Sequence, residues 1–120
     1  MAKNLEIALL FDFYGDMLTE KQRDVVELYY DNDLSLSEIA ENEGITRQGV
    51  RDSIKRAETQ LLEMEERLGL ARRFREMRVN AEKIRAAAVA IREANDRLGY
   101  SREIGEQAEQ ILHLAGLLTE

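Results

Sequence analysis

The stretch SEIAENEGITRQGVRDSIKRAE, residues 37–58, holds the side chains best suited to chemistry on a partner. Arg47, Gln48, Arg51, Lys55 and Arg56 recur at spacings that one helix would place on adjoining faces. Arginine and glutamine make paired hydrogen bonds to guanine and adenine edges, and arginine and lysine neutralise phosphate. Asp52 works against such a partner, because it repels phosphate. A second basic set lies downstream. Arg78, Arg85 and Arg92 repeat every seven residues and so form one helical column, which Arg72, Arg73 and Arg75 extend toward the helix start. Such a column suits the phosphates of RNA or an acidic protein surface. The alternative is a solvated face on which Glu82 pairs with Arg85, and Asp96 with Arg92. Glu103, Glu106 and Glu109 fall away from the apolar seam of the last predicted helix, a poor position for pairing with the column.

Other chemistries find less support. His113 is the single histidine and lies on an apolar helical pattern, so it forms no metal set with the scattered carboxylates. Glu41 with Glu43, and Glu63 with Glu65 and Glu66, read as charged helix faces. The chain has no cysteine, and its seven glycines make no phosphate-cradling loop. Phe11, Phe13, Tyr14, Tyr29 and Tyr30 read as core residues. The expectation is a protein that is not an enzyme, with no catalytic residue, no metal and no cofactor.

The elements that must position these residues are helices. There is no proline, and Ala, Leu, Glu and Arg dominate, which predicts an all-α fold. Asn4 caps a first helix carrying Ile7, Leu10, Phe11, Tyr14 and Leu18. Thr19 with Gln22, and Ser35 with Glu38, are capping boxes that open two more helices, and DND at 31–33 is turn chemistry between them. Gly44 ends the short helix and Thr46 caps a longer one, whose apolar positions are Val50, Ile54, Ala57, Leu61, Met64 and Leu68. Small Ala40, turn-forming Gly44 and the buried set Ile39, Ile45, Val50 and Ile54 predict a helix-turn-helix. That packing turns Arg47, Gln48, Arg51, Asp52 and Lys55 outward. Beyond Gly69, Leu70, Phe74, Met77, Ala81, Ile84, Ala88, Ile91, Asn95 and Leu98 keep a spacing of four and three. Ile104, Ala108, Ile111, Ala115 and Leu118 continue it after Gly99 and the cap Ser101. The reading is a helix-turn-helix head, 1–69, followed by a long helical hairpin, 70–120, for dimerisation or partner binding. The last helix is shorter than the seam it faces, so part of the seam stays open and a homodimer is expected.

The formal charge is −7, but it is unevenly spread. Residues 1–46 hold three basic and eleven acidic side chains, whereas residues 67–97 hold nine basic and four acidic ones. No apolar run reaches the length of about 20 residues that spans a bilayer, and no signal-peptide pattern opens the chain. A cytoplasmic protein without a membrane partner is expected. FDFYGDMLTEKQ, LYYDNDLSLSEIA and TRQGVRDSIKR, all within residues 9–70, resemble the YlxM family of bacterial helix-turn-helix proteins. The head also looks like region 4 of sigma factors. The resemblance implies that Arg47, Gln48, Arg51 and Lys55 lie on the exposed face of a recognition helix. It further implies a regulatory role in the signal recognition particle pathway, through RNA or through protein such as the particle's GTPase. A sequence-specific DNA-binding transcription regulator is the alternative, and a structural adaptor is a third reading.

Overall fold

In the computed structural model, which describes residues 3–119, those residues form six α-helices and no strand. They are α1 (Leu5–Tyr14), α2 (Glu20–Val26), α3 (Leu36–Glu43), α4 (Arg47–Leu68), α5 (Leu70–Leu98) and α6 (Arg102–Leu117). The caps sit where short-range chemistry puts them. The Asn4 side chain accepts the Glu6 N–H at 2.9 Å. Thr19 and Gln22 exchange two bonds of 3.2 Å, and Ser35 and Glu38 two of 3.1 Å. Thr46 Oγ1 accepts the Gly49 N–H at 2.9 Å and starts α4. Each such cap stabilises its helix by about 1 kcal/mol. The first helix is shorter than its apolar spacing implies. It ends at Tyr14, and a 3₁₀ turn, Gly15–Met17, tucks Leu18 into the core from a non-helical position. Gly15 allows this, because a Cβ there would lie 2.9 Å from the Phe11 ring.

Packing divides into two compact units, Met1–Ala71 and Arg72–Glu120. In the first, α4 serves two cores. Its N-terminal half lays Val50 and Ile54 against Val25, Tyr29 and Ile39 of the helix-turn-helix. Its C-terminal half lays Ala57 and Leu61 against Ile7, Leu10, Phe11 and Tyr14 of α1. Leu68, which the spacing places in the apolar row, is exposed. The α2 helix runs on into a π-helical turn, Glu27–Asp31, closed by the Asn32 N–H on the Glu27 carbonyl at 3.0 Å. The wider turn lets two adjacent tyrosines work inward. Tyr29 is buried in the helix-turn-helix core, while the Tyr30 hydroxyl donates to Glu58 at 2.7 Å. Their rings meet edge to face at 5.2 Å. Leu70 and Ala71 belong to the first unit because Tyr14 and Glu65 hold their N–H groups, at 3.0 and 3.1 Å.

In the second unit, α6 folds back along α5. Asn95 anchors the turn: its amide donates to the Ser101 carbonyl and its oxygen accepts the Ser101 N–H, both at 2.9 Å. The seam differs from the expected one. Ala81, Ala88, Asn95, Ala108 and Ala115 are buried, whereas Met77, Ile84, Ile91, Leu98, Ile104 and Leu118 are exposed. Small residues let two helices approach closely, and the separation is set by the side chains at the contact. The alanine row therefore takes the seam and leaves the larger residues beside it.

Candidate nucleic-acid interface

The helix-turn-helix is closed at its turn by the Ala40 carbonyl, which accepts the N–H groups of Gly44 and of Ile45, the latter at 3.1 Å. Gly44 takes the left-handed conformation, φ +69°, that this crossing needs and that side chains resist. Burial of Ile39, Val50 and Ile54 fixes the rotation of α4 about its axis. Arg47, Gln48, Arg51, Asp52, Lys55 and Arg56 are consequently all exposed. At the start of α4, Arg47, Gln48 and Arg51 line one groove with Leu36 of α3. Gln48 Nε2 donates to Asp52 Oδ1 at 2.9 Å, so the acidic residue is engaged by its neighbour. Lys55 lies 3.9 Å from Glu58, whose other oxygen takes the Tyr30 hydroxyl. Burial and that carboxylate push the Tyr30 phenol well above its usual range. Arg47, Arg51 and Arg56 make no ion pair among the described residues. One cation was not expected at this face. Lys21, in the first turn of α2, shares a groove with Arg56. The Thr19–Gln22 capping box, which sets Lys21 at a helix start, is the one signal of it in the sequence.

The second basic set lies in the other unit. Arg72, Arg73 and Arg75 are exposed. Arg78 and Arg85 are exposed and form no ion pair among the described residues. Arg92 departs from the expected column, because its Nη1 donates to Glu109 Oε1 at 2.9 Å. The alanine seam puts the flank of α6 that carries Glu109 beside α5. The intrahelical pairs of Glu82 with Arg85, and of Asp96 with Arg92, do not form among the described residues. Glu106 pairs instead with Arg102 at 2.9 Å.

The remaining candidates have structural or solvent-facing positions. His113, Glu41, Glu63 and Glu66 are exposed. Glu65 accepts the Tyr14 hydroxyl at 2.7 Å. Among the described residues no group of three histidines, cysteines or carboxylates is placed to hold a metal ion. No helix among them is long and apolar enough to cross a membrane.

Three packed helices, a left-handed glycine turn and an open basic face on the last helix define a helix-turn-helix protein. The family described as "Putative helix-turn-helix protein, YlxM / p13 like" matches residues 1–99, through the end of α5, and the chain belongs to this UPF0122 family. It is similar to a UPF0122 protein of Thermoanaerobacter pseudethanolicus, 44% identical over 110 residues that cover 89% of this chain and 94% of the relative. A UPF0122 protein of Caldanaerobacter subterraneus is 53% identical over 81 residues, 68% of this chain and 69% of the relative. A third, of Halalkalibacterium halodurans, is 44% identical over 102 residues, covering 85% and 87%.

Proposed function

We propose that this is a non-enzymatic, cytoplasmic regulator that binds duplex DNA through the first turns of α4. One observation carries the reading: Arg47, Gln48 and Arg51 stand together on the open face of a helix-turn-helix, and among the described residues neither arginine is held by a carboxylate. Arginine and glutamine there match the edges of guanine and adenine in the major groove. The charge of −7 weakens attraction to any phosphate backbone at random, so binding leans on sequence. A homodimer supplies two recognition helices, as paired half-sites require. Selection from a random duplex pool, followed by titration of the enriched site, tests the reading. Arg47→Ala and Arg51→Ala should each weaken binding to that site by about 1–3 kcal/mol, with the fold intact. A pool that yields no enriched site, or variants that bind like wild type across salt concentrations, would exclude DNA reading by this helix.

The role in the signal recognition particle pathway, through RNA or the particle's GTPase, is the second reading. Arg78 and Arg85, exposed and without ion pairs among the described residues, favour it. The engagement of Arg92 by Glu109 leaves it the weaker of the two. Replacing Arg78 and Arg85 by glutamine should lower the salt slope of structured-RNA binding by roughly 0.7–0.9 for each phosphate that is no longer neutralised. An unchanged slope would leave the column as a solvated face.

A further inference from the structure

We infer that two copies of this chain join through the hairpin of the second unit, forming a four-helix bundle whose core is the isoleucine and leucine stripe that each hairpin leaves open. The inference deepens the homodimer reading above and rests on it. Among the described residues of the second unit, the buried apolar side chains are Ala81, Ala88, Ala108 and Ala115. The stripe stands three positions beyond the seam at each step: exposed Ile84, Ile91 and Leu98 on α5, exposed Ile104 and half-buried Ile111 on α6, and exposed Leu118 at its C-cap. In an antiparallel pair packed through the seam row, residues three positions on from it fall on the same side of both helices. The hairpin thus has an apolar side. Residues four positions beyond the α5 seam form the other side, where Arg85 and Arg92 stand and Arg92 meets Glu109.

Ile84, Ile91, Leu98, Ile104 and Leu118 are between 42% and 78% exposed. Ala87, Ala94, Gln107 and Leu114 occupy the next row on that side, and none of them carries a charge. The 16 residues of α6 give a face about 24 Å long, and two helices 8–10 Å apart make it about 20 Å wide. That is about 500 Å² of flat area per chain before its corrugation is counted, the scale of a stable interface at about 800 Å² of accessible surface per partner. Exposed Met77 continues the stripe along α5.

The occupant is a second copy because the surface complements itself. A two-fold axis along the bundle sets each α5 beside the α6 of the other copy. The α5 edge bordering the stripe carries Glu76, Lys83 and Arg97, a net positive charge, and the α6 edge carries Glu103, so opposite net charges meet across that arrangement. Setting α5 against α5 would oppose like charges.

Sedimentation equilibrium on the full chain tests this. Wild type should have the dimer mass, and Ile84→Lys combined with Ile111→Lys should sediment as a monomer while keeping its far-UV circular dichroism. Arg85→Glu, on the other side of the hairpin, should remain a dimer. If the lysine variant loses helicity, Ile84→Gln with Ile111→Gln carries the same comparison, since both side chains already touch solvent. A monomeric wild type would overturn both the homodimer and this face. A dimeric wild type whose isoleucine variants stay dimeric, or whose Arg85→Glu variant dissociates, would overturn the face alone. Dimeric variants would point to another self-association surface.

Discussion

Ile54→Ala is expected to lower the stability of the first unit by about 2–5 kcal/mol, read as a fall in the urea midpoint at unchanged slope. Ile54 is fully buried where α4 packs with the helix-turn-helix, among Val25, Tyr29, Ile39 and Val50. Removing three carbons there loses their transfer free energy and leaves a cavity that rigid neighbours fill only in part. A small unit has about 5–15 kcal/mol to lose, so the fraction unfolded should rise visibly at physiological temperature. An exposed position one turn earlier on the same helix supplies the control. Arg51 is exposed and makes no ion pair among the described residues, so Arg51→Ala should change stability by less than about 0.5 kcal/mol. The two variants should therefore divide stability from binding, within three residues of one helix. A midpoint unchanged by Ile54→Ala would mean that the site collapses around the smaller side chain, and that the rotation of α4 is set elsewhere.

The helix starts were legible because their chemistry spans three residues. Thr19 and Gln22, Ser35 and Glu38, and Thr46 find their partners within one turn, whatever the rest of the chain does. The helix-turn-helix was legible for a related reason: Ala40, Gly44 and Val50 must satisfy one tight crossing. Features decided by distant partners were not. The π-helical turn exists where Tyr29 faces the helix-turn-helix core while Tyr30 reaches Glu58, 28 residues away. Nothing local distinguishes it from an ordinary helix. The spacing of four and three after Gly69 marks two adjoining rows, one of alanines and one of large aliphatic residues. It does not say which row meets α6. Once the alanine row does, the helices come close enough for Arg92 to reach Glu109, a pair that depends on how α6 is rotated about its axis. The outward set on α4 followed directly from its buried set. Lys21 could not be read as part of that face, because its partner in the groove, Arg56, lies on another helix.

Tyr14→Ala should be among the most damaging single substitutions, at about 3–5 kcal/mol, and Tyr14→Phe should account for about 1–3 kcal/mol of that. Tyr14 is the largest fully buried side chain in the first unit. Its ring fills the core between α1 and the second half of α4, beside Leu61 and Ala71. Its hydroxyl donates to Glu65 at 2.7 Å and accepts the Leu70 N–H at 3.0 Å, while Glu65 also takes the Ala71 N–H at 3.1 Å. One phenol thus satisfies a carboxylate and a backbone donor at the junction of α4 and α5, and phenylalanine would leave both short of a partner. The same geometry predicts a dependence on pH. Burial first, and then the Glu65 carboxylate, raise the Tyr14 phenol above its ordinary value of about 10. The folded chain therefore keeps this proton where the unfolded chain releases it. The stabilisation is complete below about pH 10 and declines as the pH climbs from there through the raised folded value. Tyr30 is shifted the same way, by burial and by Glu58, and adds to the decline. Urea midpoints of wild type, Tyr14→Phe and Tyr30→Phe between neutral and strongly alkaline pH would measure this. Each phenylalanine variant should start lower at neutral pH and lose less on the alkaline limb. A Tyr14→Phe curve parallel to that of wild type throughout would show that the hydroxyl has no protonation-dependent share in holding the junction.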